Sequence, residues 1–99
     1  MKLTLTHYDR AIELDSNFAE FYNNRGVVYK QLRNFELALA DYNRAIELNP
    51  NFAVAYANRG VIYKQLGKFE LALADYNRAI ELDPNLTEAY IYRSNLYQK

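Results

Sequence analysis

The chain repeats itself every 34 residues. Residues 19–52 align without gaps on residues 53–86, differing at 8 of 34 positions and matching at the other 26. Residues 1–18 match the second half of this unit, with Tyr8, Arg10, Ala11, Ile12, Glu13 and Leu14 falling on Tyr42, Arg44, Ala45, Ile46, Glu47 and Leu48. Residues 87–99 match its first half, with Ala89, Tyr90, Arg93 and Tyr97 on Ala55, Tyr56, Arg59 and Tyr63. A period of roughly 20–50 residues marks a solenoid, in which a unit buries its apolar face only by stacking on its neighbours. The period therefore predicts a single repeat domain over 1–99: a half unit at 1–18, full units at 19–52 and 53–86, and a half unit at 87–99.

Each full unit reads as two helices. In 53–66 the large residues Tyr56, Tyr63 and Leu66 recur at helical spacing, with Gly60 on the same face; in 69–82 the set is Phe69, Ala72, Leu73, Tyr76, Ala79, Ile80 and Leu82. Leu66-Gly67-Lys68 is a turn with Gly placed to leave the helix. Asp83-Pro84-Asn85 breaks the second helix, because Pro cannot continue it. Connections this short make neighbouring helices antiparallel. The expected helices are 2–14, 19–32, 35–48, 53–66, 69–82 and 87–98.

The spacing of Tyr22, Arg25, Gly26 and Tyr29, then Ala38, Tyr42 and Ala45, then Pro50 resembles the tetratricopeptide repeat, and Tyr56, Arg59, Gly60, Tyr63, Ala72, Tyr76, Ala79 and Pro84 carry it again. The resemblance covers the whole chain and implies an all-α, α-solenoid fold of antiparallel helix pairs wound into a right-handed superhelix. Departures are mild: Tyr stands for the common Trp, Arg25, Arg59 and Arg93 where Leu is usual, Ser94 for Gly, Ser16 for Pro and Arg33 for the turn Gly. Physically, Gly26, Gly60, Ala38, Ala72, Ala45 and Ala79 are small where helices approach closely, and the tyrosines fill the space they leave. Nine of the ten tyrosines fall in three repeating columns, which favours packing over a nucleobase-stacking surface. Arg25, Arg59 and Arg93 share the tyrosine side, where a lone charge is costly, so Asp41 and Asp75, with His7 in the same column, are the expected partners.

The opposite stripe of each first helix runs through i, i+4, i+7 and i+11. It holds Glu20, Asn24, Val27 and Gln31, then Val54, Asn58, Val61 and Gln65, then Glu88, Tyr92, Asn95 and Lys99. The resemblance implies that this stripe lines a concave groove that takes an extended peptide. Asn24 and Asn58 each offer an acceptor and two donors, which suits bidentate pairing with a peptide unit. They resemble the asparagine ladders of the family; Tyr92 interrupts the ladder and is a candidate to stack on a ligand side chain. Val27 and Val61 are apolar where a solvated face would be polar. The alternative is that recent duplication alone explains the matching pairs. The carboxylate clamp of the chaperone-type members needs Lys, Asn, Asn, Lys and Arg; the corresponding columns here hold Asn23, Val27, Asn58, Glu88 and Tyr92. Glu88 has the wrong sign, so an acidic C-terminal peptide is not the expected ligand.

Other classes find no support in the sequence. Twelve Lys plus Arg balance twelve Asp plus Glu, which argues against nucleic-acid and anionic-membrane partners. Cysteine is absent and His7 is the single histidine, so no disulfide, thiolate or histidine-cluster metal site is expected, nor any cofactor. Ser16 and Ser94 have no neighbouring base, no Gly-rich loop cradles phosphate, and Glu47-Leu48-Asn49-Pro50 is a helix end. No apolar run reaches about 18 residues, and residues 1–6 lack a signal-peptide core. A cytoplasmic, non-catalytic interaction scaffold is the main expectation. The runner-up is self-assembly. The chain starts on a second helix and stops on a first helix, three residues short of three full units, the length of the Leu66-Gly67-Lys68 turn. Leu3, Leu5 and Ile12 at one end and Tyr90, Leu96 and Tyr97 at the other are then candidates for head-to-tail stacking through Met1 and Lys99, or for a dimer. Thr4 in place of the small Ala38 and Ala72 counts against a docked α-helix there, and a monomer or a fragment of a longer array is the remaining alternative.

Overall fold

The computed structural model describes residues 2–97. They form α1 (Lys2–Leu14), α2 (Ala19–Gln31), α3 (Phe35–Leu48), α4 (Ala53–Gln65), α5 (Phe69–Leu82) and α6 (Thr87–Tyr97), with no strand among the described residues. The sequence expectation for α2 and α4 runs one residue too far, because Leu32 and Leu66 act as C-caps. For α6, residue 98 lies outside the described residues, as do Met1 and Lys99 of the stacking expectation.

The turns inside the repeats are fixed by their backbone. After α2, the Arg33 N–H donates to Lys30 O at 2.9 Å and the Asn34 N–H to Tyr29 O at 2.9 Å; after α4, Gly67 donates to Lys64 O at 3.0 Å and Lys68 to Tyr63 O at 2.8 Å. This paired pattern is the Schellman motif, which satisfies the last helical carbonyls by placing one residue in the left-handed region. Gly67 does so at φ 77°, and Arg33 at φ 61°. No helix is long and apolar enough to cross a membrane among the described residues.

The described residues divide into two compact units, the first ending at Pro50 and the second beginning at Asn51. In the first, α2 packs on α1 and α3; in the second, α4 packs on α5 and on α6, and α5 on α6. Each unit is centred on a tyrosine laid against a glycine. Tyr42 is fully buried and Tyr76 is 1% exposed. A Cβ on Gly26 would lie 2.7 Å from Tyr42 Cε1, and one on Gly60 2.5 Å from Tyr76 Cε1, so neither helix pair tolerates a side chain there. In the second unit Ala57, Ala79, Leu86 and Ala89 close the core, with Tyr56, Ile80 and Tyr92 at its edge.

The arginines reach carboxylates as their position demands. Arg25 donates through Nε to Asp41 Oδ2 and through Nη2 to Oδ1, both at 2.8 Å, and Arg59 repeats this on Asp75 with the same distances. Asp41 and Asp75 are buried, so the bidentate bond offsets their desolvation. The hydrogen bond to Asp41 is the largest cause that raises the Arg25 pKa, as that to Asp75 is for Arg59, against the lowering by burial. Flanking tyrosines hold the guanidinium planes: Arg25 lies 5.8 Å from the Tyr22 and Tyr29 ring centres, Arg59 5.5 and 5.6 Å from Tyr56 and Tyr63. His7 does not take the expected part. It is exposed, and Asp9 instead receives Arg25 Nη1 at 2.9 Å. Arg93 finds an amide, donating to Asn77 Oδ1 at 3.0 Å.

Candidate functional site

The packing of α4 on α6 brings two predicted stripes together. Val61, Gln65, Tyr92 and Asn95 line one pocket of about 190 Å³. Val61 and Tyr92 are half-buried, whereas Gln65 and Asn95 are exposed at the rim. Two further residues complete the lining, Lys64 and Tyr76. Sequence reasoning had assigned Tyr76 wholly to the core; its ring packs 5.9 Å from that of Tyr92 and forms the floor. Burial, with smaller contributions from Tyr92 and Asp75, pushes the Tyr76 phenol up to about 12, so it stays neutral across the physiological range. Lys64 was missed because it falls one position off the geometric stripe. The signal was present all the same, since Lys64 lies three residues after Val61 and on the same helical side.

The remaining stripe residues are placed unequally. Glu20, Asn24 and Gln31 on α2 are exposed and Val27 is half-buried. Asn24 and Asn58 occupy equivalent positions, yet Asn24 is exposed and Asn58 is only 8% exposed. α4 buries Ala55, Ala57, Asn58, Gly60 and Ile62 where α2 buries Ala19, Asn23, Gly26 and Val28, and α4 also packs on α6. Tyr92, expected as a free stacking platform, spends part of its ring on Tyr76 and on the core edge. Of the end residues, Leu3 is 68% and Tyr97 66% exposed, and Tyr90 is exposed with its hydroxyl donating to Pro84 O at 3.0 Å. Leu5, Ile12 and Leu96 are half-buried.

The tetratricopeptide repeat family profile matches residues 19–52 and 53–86. No curated protein sequence matches the chain. Among solved structures, an Arabidopsis OM64 tetratricopeptide domain is 28% identical with a TM-score of 0.88, covering 94% of this chain and 77% of that one. The first such domain of Spaghetti (RPAP3), bound to the HSP90 peptide SRMEEVD, is 33% identical with a TM-score of 0.89, covering 95% of this chain and 75% of that one. The second domain of human RPAP3, in complex with the HSP70 peptide SGPTIEEVD, is 29% identical with a TM-score of 0.88, covering 96% and 79%. The fold is therefore the all-α helix-pair solenoid of those neighbours, and with both full units matched the chain belongs to the tetratricopeptide repeat family.

Proposed function

We propose that this chain is a non-catalytic interaction scaffold that binds an extended peptide, and that residues 1–99 act as one interaction domain. The observation that carries this reading is the α4–α6 pocket, where four residues of the sequence-derived groove, Val61, Gln65, Tyr92 and Asn95, share one concave surface. Apolar walls with a few polar groups at the rim are the make-up of a side-chain pocket. Glu20, Asn24, Val27 and Gln31 on α2 are the peptide contacts proposed for the first unit, and Asn58 contributes from its buried position on α4. Two neighbours of the same fold carry bound peptides, which supports the peptide class of ligand.

The test is a panel of fluorescent random-sequence heptapeptides titrated against the intact chain. A subset should bind, and Gln65→Ala plus Asn95→Ala should weaken those binders several-fold with unchanged helicity, since both side chains are exposed. Binders indifferent to the double substitution would remove the pocket from the site. A second reading, self-assembly through α1 and α6, is favoured by the exposure of Leu3, Ile91 and Tyr97. It predicts a molar mass that rises with concentration above 11.6 kDa and falls back in Leu3→Lys plus Tyr97→Lys; a constant 11.6 kDa in light scattering sinks it.

A further inference from the structure

We infer that the α4–α6 pocket is a subsite for a glutamate side chain of the bound peptide, with the Lys64 ammonium as its charge partner; this rests on the peptide-binding reading above. Of the six lining residues Lys64 alone is charged, and no carboxylate is among them. Among the described residues the Lys64 ammonium makes no ion pair or side-chain hydrogen bond, and the same holds for the side-chain amides of Gln65 and Asn95. Three polar side chains without internal partners thus converge on one pocket. A carboxylate satisfies all three, accepting from the ammonium and from both amide NH2 groups. The walls are Val61, Tyr76 and Tyr92, which match the two methylenes of glutamate and keep water away from the charge pair. The negative end of α4 is muted, because the Lys64 and Tyr63 carbonyls are already taken by the Gly67 and Lys68 N–H groups.

The same cleft argues against a peptide's terminal carboxylate as the anchor. Glu88, exposed in the first turn of α6, lies about 10 Å along the helix from Asn95. The pocket therefore holds the positive Lys64, while α6 carries the negative Glu88 outside the pocket lining. An internal glutamate can be taken at the first while the chain passes the second as neutral backbone.

The experiment uses heptapeptides selected on the intact chain, resynthesised with Glu, Gln or Lys at each position and with free or amidated C-termini, and read by fluorescence anisotropy. One position should favour Glu over Gln by about tenfold, the ratio expected of one charge-assisted hydrogen bond. Amidation should leave affinity unchanged. Lys64→Met should abolish the preference with the circular dichroism melt unmoved, Lys64→Gln should do the same, and Lys68→Met, on the exposed turn, should not. Binding without a glutamate preference, a preference that survives both Lys64 variants, or dependence on the free C-terminus overturns the subsite while leaving peptide binding intact. If no peptide binds, the subsite falls together with the reading beneath it.

Discussion

Arg59 shows how a charged residue replaces an apolar one inside a helix pair. Tyr56 and Tyr63, on either side along α4, flank its guanidinium, and Asp75 closes the end with two hydrogen bonds of 2.8 Å. Leaving one member alone strands a partly buried charge, whereas removing both strands none. Asp75→Ala should therefore cost about 2–3 kcal/mol, and Arg59→Met plus Asp75→Leu less than that, as read by denaturant unfolding; a double variant as unstable as the sum of the singles contradicts the pairing. The partner columns at Asp41 and Asp75 were legible from the repeat. Asp9 was not, because it falls in the column of Asn43 and Asn77, two residues beyond the Asp41 and Asp75 column that His7 shares, and the repeat pattern carries no acidic residue there. Arg33 carries local backbone strain. It holds φ 61° where its repeat equivalent is Gly67, an arrangement that costs a side-chain-bearing residue about 1 kcal/mol, partly offset by the Arg33 guanidinium 5.2 Å from the Phe35 ring centre. Arg33→Gly should raise the melting temperature by about 2–4 °C and Gly67→Arg should lower it; the opposite signs would show that the turn does not need a glycine.

At the scale of the helices, small residues set the spacing and tyrosines fill it. The Gly60–Tyr76 contact has no slack, since Tyr76 is 1% exposed and an added Cβ would lie 2.5 and 2.8 Å from two of its ring atoms. Elsewhere in a helix Gly→Ala gains up to about 1 kcal/mol. Here overpacking reverses the sign, and Gly60→Ala should lose about 1–2 kcal/mol; a raised melting temperature would mean α4 and α5 separate without cost. Helix number was readable from the period because most turns carry a Gly, Pro or Asp signal, and Leu32-Arg33-Asn34, which carries none, aligns on Leu66-Gly67-Lys68. The inequality of Asn24 and Asn58 was not. The two share Arg-Gly-Val after them but differ in the residue before, Asn23 against Ala57, and the packing of α4 on α6 leaves no mark in the spacing of α4 itself.

For the whole molecule, the repeat architecture is that of neighbours solved with bound peptides, and the proposed peptide site rests on one pocket. Helical geometry puts Val61, Gln65, Tyr92 and Asn95 on their stripes, the family resemblance makes those stripes a groove, and one pocket unites the four. Lys64 and Tyr76 were not found this way, because a stripe drawn on one helix misses what neighbouring helices add to the wall and floor. Binding there is most directly tested by heteronuclear NMR on the isotopically labelled chain, titrated with the tightest heptapeptide from the random panel. Shift changes concentrated on Val61, Lys64, Gln65, Tyr92 and Asn95 are the predicted result. Changes confined to the exposed Leu66–Leu71 turn surface, with the α4–α6 pocket silent, would contradict it.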